Sequence, residues 1–413
     1  MTGRSKAIML VAGEASGDLH GAGLCRALRG LDPGWRLFGM GGAGMAAAGM
    51  DLLVDVTANA VVGGSEALGQ VPRLYRAYRG LRAALRGAER PAVLVLIDFP
   101  EFNLRLARAA RRAGVPVVYF IPPQVWAWRG GRVKTIRRFV SLVLAVFPFE
   151  TPLYRRAGVP VEFVGHPLLD QLEAVPTREE ARRGLGIEDR TPVIGLLPGS
   201  RHQEIVRLLP AMRDAAAQVL AAVPGTRFLL GLAPTIDRRL AVQHLHGGPP
   251  VEILGGQTHA VIRAADLLLA TSGTVTLEAA LLGTPMIVCY RLSAVSELIA
   301  RLVLRVPWMS LANLTLGRAV VPELYRQTAT GECLAREALH LLTDPGARDA
   351  QRAAFNELAG TLGEPGVGTR AARFVLAQAA PPDGRTKPQG VGARGESVMA
   401  VRSRRVSAPE ASL

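Results

Sequence analysis

The loop LLPGSR (Leu196 to Arg201) brings together residue types that suit an anion. An apolar run, PVIGLL, ends there, turns through Pro198 and Gly199, and leads into a helical pattern whose first turn carries Ser200 and Arg201. At such a junction backbone N–H groups and the positive helix end face a ligand, a hydroxyl adds a donor, and a guanidinium can bond phosphate oxygens in pairs. A capped helix with a solvated arginine fits the same residues. A second junction, DLLLATSGTVTLEAALLGTP, repeats the device with Ser272, Gly273 and Thr274 at a helix start and Glu278 one turn further in. Gly273 lets a ligand approach the backbone, and Glu278 can accept from a ribose hydroxyl. The competing reading is a capping motif on an amphipathic helix, but two such turns in one half of the chain point to a diphosphate-bearing nucleotide.

The first half offers acid–base chemistry. In AVLVLIDFPEFNLRLAR, Asp98 ends an apolar strand, where open α/β sheets place their ligands, and a carboxylate there can take a proton from an acceptor hydroxyl. It can equally cap the helix starting near Glu101. The opening VAGEASGDLHGAGL turns from strand to helix through Gly13, with Glu14 facing a cleft and Ser16 and Asp18 open to a capping role. Gly39, Gly41 and Gly44 match G-x-G-x-x-G literally, but they follow a second strand and precede a short alanine-rich helix, so a dinucleotide site is not expected there. Walker A patterns, zinc-ligand spacing and paired metal carboxylates do not occur, which makes metal-independent chemistry without a cofactor the expectation.

Charge and aromatic residues point to anionic partners. The formal net charge is +15, and the tail Pro381 to Leu413 contributes only a small part of it. The stretch Gln70 to Arg90 sets Arg76, Arg79, Arg82 and Arg86 toward one side and Leu74, Tyr78, Leu81 and Leu85 toward another, as on a membrane-surface helix or a crossover helix with a solvated face. Trp126 and Trp128 stand beside Arg129, Arg132 and Lys134, a mixture suited to an acyl chain next to a phosphate, or to RNA.

The elements that must carry these groups alternate short aliphatic runs with longer helical patterns, the pattern of βαβ units. Strands are expected at KAIMLVA, WRLFGM, AVLVLID, VPVVYFI, SLVLAVF, VEFVGH, PVIGLL, TRFLLGL, VEIL, DLLLAT and PMIVCYR, and their continuous apolar character marks strands buried on both faces. The fold class is therefore α/β with two doubly wound, Rossmann-like parallel sheets, one per domain, divided after His166 and Pro167. The Pro-, Gly- and Arg-rich residues 381–413 are expected to be a disordered basic tail. No apolar run reaches the roughly 18 residues of a membrane span, no leader-like cleavage site follows the start, and Cys25, Cys289 and Cys333 lack pairing or ligand spacing, so a cytoplasmic protein with buried structural thiols is expected.

AGEASGD, IDFPEFN, PPQVWAWR, FVGHPLLD, LLPGSR, ATSGTVTLEAALLGTPMIVCYR and NLTLGRAVVPEL, in this order and spacing, closely resemble the lipid-A-disaccharide synthase family over about residues 7–380. The resemblance implies a GT-B fold: an acceptor-binding domain (1–167), a nucleotide-sugar domain (168–355), a helix crossing back to the first domain (356–380), and the tail. It implies an inverting, metal-independent glycosyltransferase joining UDP-2,3-diacylglucosamine to 2,3-diacylglucosamine 1-phosphate in lipid A biosynthesis, peripheral on an anionic inner membrane, with no nucleic acid partner and a homodimer as one allowed assembly. Asp98 matches the family's proposed base, while Ser200, Arg201 and the Ser272 to Thr274 turn stabilise the departing diphosphate. Glu278 and Asn313 match the nucleotide side and Glu14 the cleft. Arg129 and Arg132 are the expected partners of the acceptor phosphate, and Val62, Arg76, Arg79, Trp126 and Trp128 the membrane-facing set. Val62 and Gly64 stand where the family carries bulkier residues, which implies weaker acyl-chain contacts. Pro122 replaces a usual serine, and Thr315 and Leu316 an aliphatic–alanine pair. The alternatives are another GT-B enzyme acting on UDP-N-acetylglucosamine, MurG-like or a 2-epimerase, and a non-enzymatic binding module for anionic lipid or nucleic acid.

Overall fold

The computed structural model describes residues 6–56, 67–126, 131–291 and 307–380; Val62, Gly64, Trp128, Arg129 and the tail lie outside them. The first half runs β1 (Ala7–Ala12), α1 (Ala15–Leu31), β2 (Arg36–Gly41), α2 (Ala43–Ala47), β3 (Asp51–Asp55), α3 (Ala67–Ala84), β4 (Val93–Ile97), α4 (Pro100–Arg112), β5 (Val117–Phe120), α5 (Arg132–Phe139), β6 (Leu142–Ala145), α6 (Glu150–Arg156) and β7 (Val161–Phe163). Its seven strands are ordered β3-β2-β1-β4-β5-β6-β7. Each adjacent pair is parallel. Every residue of β1 and β4 is buried, because helices cover both faces of the sheet.

The second half runs α7 (Leu168–Gln171), α8 (Arg178–Gly184), β8 (Val193–Leu197), α9 (His202–Ala222), β9 (Arg227–Leu232), α10 (Arg238–Leu245), β10 (Val251–Gly255), α11 (Thr258–Ala264), β11 (Leu267–Thr271), α12 (Thr274–Leu281), β12 (Met286–Tyr290), α13 (Leu311–Leu316), β13 (Glu323–Tyr325), α14 (Gly331–Thr343), α15 (Pro345–Thr361) and α16 (Val367–Ala379). A six-stranded sheet has the order β10-β9-β8-β11-β12-β13. Two strands here and in the first half, β3 and β13, are edge strands that the sequence pattern did not reveal.

The strand order reverses between β1 and β4 in the first sheet, where Ala12 pairs Ile97, and between β8 and β11 in the second, where Leu197 pairs Ala270. In a doubly wound sheet such a reversal opens a crevice at the carboxyl ends of the two strands. The residues following those four strand ends are Gly13 and Glu14, Asp98, the LLPGSR turn, and the Ser272 to Thr274 turn.

The stretch 356–380 contains the end of α15, a turn in which Gly363 and Gly366 take positive φ, and then α16, which packs on α1, β4 and β5 of the first half. Asp170 holds that return helix by accepting from the N–H groups of Gly366 (2.6 Å), Val367 (3.1 Å) and Gly368 (2.8 Å). Cys25 and Cys289 are buried free thiols, while Cys333 is half-buried, short of the buried position expected for it. Among the described residues no helix is long and apolar enough to cross a membrane.

Candidate functional site

At the first crevice the backbone is bent into an unusual shape. Asp98 and Phe99 both take positive φ, 47° and 46°, at a cost of about 1–3 kcal/mol each for residues with side chains. Buried donors hold the bend: the Asp98 carbonyl accepts from Asn103 Nδ2 (2.7 Å) and Tyr119 Oη (2.8 Å), and Asn103 Nδ2 also reaches the Ile97 carbonyl at 3.2 Å. Gly13 is required by the same bend, since a Cβ there would lie 2.1 Å from the Phe99 ring. The Asp98 carboxyl is pushed up to about 6, chiefly by burial and next by the Glu14 carboxylate. It is thus mostly ionised near neutral pH while holding a proton more tightly than an ordinary carboxylate, the state a general base needs.

The neighbouring glycine pattern is filled by protein. Asp18 Oδ1 accepts from Gly42 N–H (2.8 Å) and Met45 N–H (3.0 Å), and Oδ2 from Gly44 N–H (2.9 Å), so a carboxylate occupies the position a phosphate would take. A Cβ on Gly39 would meet the Leu10 carbonyl at 2.0 Å, so this glycine serves strand packing. Asp18 therefore caps α2, not its own helix.

On the acceptor side Arg132 is ion-paired with Glu101 and its side chain is mostly covered, so the group expected to meet a phosphate already has an internal partner. Trp126 is half-buried and donates its indole N–H to the buried Glu150 at 3.2 Å. Arg76 and Arg79 are exposed on α3, whose Ala77 and Leu81 are buried.

At the second crevice the LLPGSR turn differs from the expected arrangement. The N–H groups of Ser200 (3.0 Å) and Arg201 (3.2 Å) both donate to Glu204 Oε2, and Arg201 Nη1 donates to Glu204 Oε1 at 3.0 Å. These two N–H groups thus face a carboxylate of the chain, while the Arg201 side chain remains 75 % exposed. Gly199 has φ +121°, and a Cβ there would fall 2.1 Å from Glu204 Oε2, so only glycine admits this carboxylate. In the companion turn Ser272 Oγ donates to the Met309 carbonyl (2.7 Å), and a Cβ on Gly273 would meet nothing within 4 Å, leaving open space before Thr274 and the start of α12.

Glu278 Oε2 lies 3.2 Å from His259 Nε2. It also reaches the first half: His20 on α1 is pushed down to about 4 by burial, and the Glu278 carboxylate partly offsets this. Asn313 is fully buried, with Oδ1 accepting from the N–H groups of Val320 (2.7 Å) and Val321 (3.0 Å) and Nδ2 donating to the Val321 carbonyl (3.0 Å) and Glu323 Oε1 (2.8 Å). With four bonds made inside the protein, this side chain organises the segment beside the turn. Glu323 also accepts from the N–H groups of Met309 and Ser310, which ties that segment to the Ser272 turn.

Sequence reasoning missed Asn103, Tyr119, Glu150, Glu204, His259 and Glu323. Of these only Glu204 left a signal, the acidic residue three places into a helix that closes a cap. Among the described residues no group of three or more His, Cys, Asp or Glu is placed to hold a metal ion.

A family model described as lipid-A-disaccharide synthetase matches residues 8–365. Lipid-A-disaccharide synthase of Syntrophus aciditrophicus is 43 % identical over 374 residues, covering 90 % of this chain and 97 % of that protein. The Myxococcus xanthus protein of the same name is 44 % identical over 371 residues, covering 89 % and 96 %. Among solved structures, a putative UDP-N-acetylglucosamine 2-epimerase from Listeria monocytogenes superposes with a TM-score of 0.61 at 15 % identity, covering 90 % of this chain and 95 % of that one. MurG from Acinetobacter baumannii gives 0.53 at 13 %, covering 90 % and 99 %. At such identities these structures speak for the shared two-sheet GT-B fold alone.

Proposed function

Because the chain belongs to the lipid-A-disaccharide synthase family, and is a glycosyltransferase using a UDP-sugar donor and a sugar-phosphate acceptor, we propose that it joins UDP-2,3-diacylglucosamine to 2,3-diacylglucosamine 1-phosphate. The acceptor's 6-hydroxyl attacks the anomeric carbon from the face opposite UDP. The new C–O bond forms as the bond to the diphosphate breaks, Asp98 takes the hydroxyl proton, and UDP leaves with the electron pair. In this reading residues 1–167 hold the acceptor and residues 168–355 the nucleotide sugar.

Arg201, Ser200 and the Ser272 to Thr274 turn stabilise the negative charge growing on the diphosphate, so the reaction needs no metal. His259 orients Glu278 toward a ribose hydroxyl, and Asn313 acts by holding the segment that receives the Ser272 hydroxyl. Glu14 faces the sugar and keeps the Asp98 proton affinity high. The exposed Arg76 and Arg79 support docking on the anionic cytoplasmic face of the inner membrane.

The observation that carries this reading is Asp98: a carboxyl at a sheet reversal, on a strained backbone held by Asn103 and Tyr119, and poised near neutral pH. Asp98→Asn keeps the shape and removes the proton acceptor. Its kcat should fall by about 10²–10⁴ with UDP affinity unchanged; near-normal turnover would sink the assignment.

A further inference from the structure

Glu150, the first residue of α6, is 1 % exposed, and the mechanism above makes no use of it. Its Oε1 accepts from the Trp126 indole N–H (3.2 Å), and its Oε2 from the N–H groups of Val146 (3.3 Å) and Phe147 (3.2 Å) just beyond β6. Trp126 stands edge-on to Phe149 with ring centroids 5.1 Å apart, and Phe149 stacks on Phe147 at 5.3 Å. The one buried carboxylate thus links the Trp126 ring to two backbone N–H groups beyond β6. We propose that Glu150 is a positioning residue for the acceptor side, tying the Trp126 ring to the end of β6 so that it presents a fixed apolar wall to the acceptor. This rests on the glycosyltransferase reading given above.

The tether is sensitive to protonation. Burial pushes the Glu150 carboxyl up to about 7, while the three N–H bonds hold it down. A proton on the carboxyl removes the charge that strengthens all three bonds and leaves its oxygens poorer acceptors, so the tether weakens as pH falls through that value. Among the described residues, the nearest titratable groups are Tyr154 on α6, whose hydroxyl donates to the Pro123 carbonyl at 3.2 Å, and His166, which lies against Phe147 with ring centroids 5.2 Å apart. Burial pushes Tyr154 up and holds His166 near 3, so neither changes charge around neutral pH.

The test uses the full chain labelled with 5-fluorotryptophan, its Trp126 resonance identified by Trp126→Phe and followed from about pH 5.5 to about 8.5. In the wild-type protein that resonance should move with a midpoint near 7; in Glu150→Gln it should be displaced and flat. At about pH 8 Glu150→Gln should raise the acceptor KM about tenfold, the worth of one charge-assisted hydrogen bond, with donor KM and UDP affinity unchanged. Trp126→Phe, which removes the donor and leaves the carboxylate, should show the same acceptor effect and guards against a Glu150 variant that fails to fold. A wild-type resonance that stays flat, one that titrates identically in Glu150→Gln, or an acceptor KM unchanged in Trp126→Phe would overturn the proposal. If the wild-type protein forms no disaccharide, the function assignment fails while the fluorine titration still reads the tether.

Discussion

Replacing Asn313 separates a ligand contact from an organiser of the nucleotide half. Asn313→Ala strips four hydrogen bonds at once, and the buried N–H and C=O of Val321 lose their side-chain partner. At about 1–3 kcal/mol for each buried backbone group left unpaired, the loss centres on about 4 kcal/mol. For a domain of this size that lowers the unfolding midpoint by about 8–16 °C. Asn313→Asp gives a second signature. It keeps the acceptor for Val320 and Val321 but sets a carboxylate oxygen where Nδ2 now lies 2.8 Å from Glu323 Oε1. Two carboxylates so close share a proton, so this variant should be weakest at high pH and recover as the pH falls. Scanning calorimetry over a pH series, with UDP titrated into each variant, reads both effects. An Asn313→Ala protein that melts like wild type and loses only UDP affinity would refute the organiser role.

Two further expectations concern the catalytic groups. With Asp98 pushed up to about 6, kcat/KM should rise with pH through that value and level off above it, and Glu14→Gln should move the midpoint downward by removing the second cause of the shift; a profile flat across this range would refute the base. Because the folded protein holds this proton more tightly than the unfolded chain, Asp98 lowers stability as pH rises from about 4 to 6. Glu204→Gln should loosen Arg201 and weaken UDP binding about three- to tenfold, measured by calorimetry; tighter binding would mean that the carboxylate competes with the phosphate instead of aiming the arginine.

The strand-to-helix junctions were legible in the sequence because parallel strands buried on both faces read as unbroken apolar runs, and the residue after each run falls at the carboxyl edge of its sheet. β3 and β13 escaped because an edge strand alternates or shortens: β3 reads Asp-Leu-Leu-Val-Asp with no buried residue. The internal partners of the site residues were not legible, since they depend on contacts far along the chain. Asp18 meets N–H groups 24 to 27 residues away, and Tyr119 supports Asp98 across 21 residues. Asn313 lies in the segment NLTLGRAVVPEL, which suggested a nucleotide contact; its burial follows from the fold-back of Val320 to Glu323, which neither propensity nor periodicity encodes. The pairing of Arg132 with Glu101 on α4 was likewise not legible, because it joins residues 31 apart.

The proposed reaction is transfer of an acylated glucosamine unit from UDP to a second sugar that carries a phosphate. Purified protein incubated with UDP-2,3-diacylglucosamine, with and without 2,3-diacylglucosamine 1-phosphate, and analysed by mass spectrometry tests it directly. The expected products are one tetraacyl disaccharide monophosphate and an equal amount of UDP, both dependent on the acceptor. UDP released at the same rate without the acceptor, or no disaccharide with both substrates present, would contradict it.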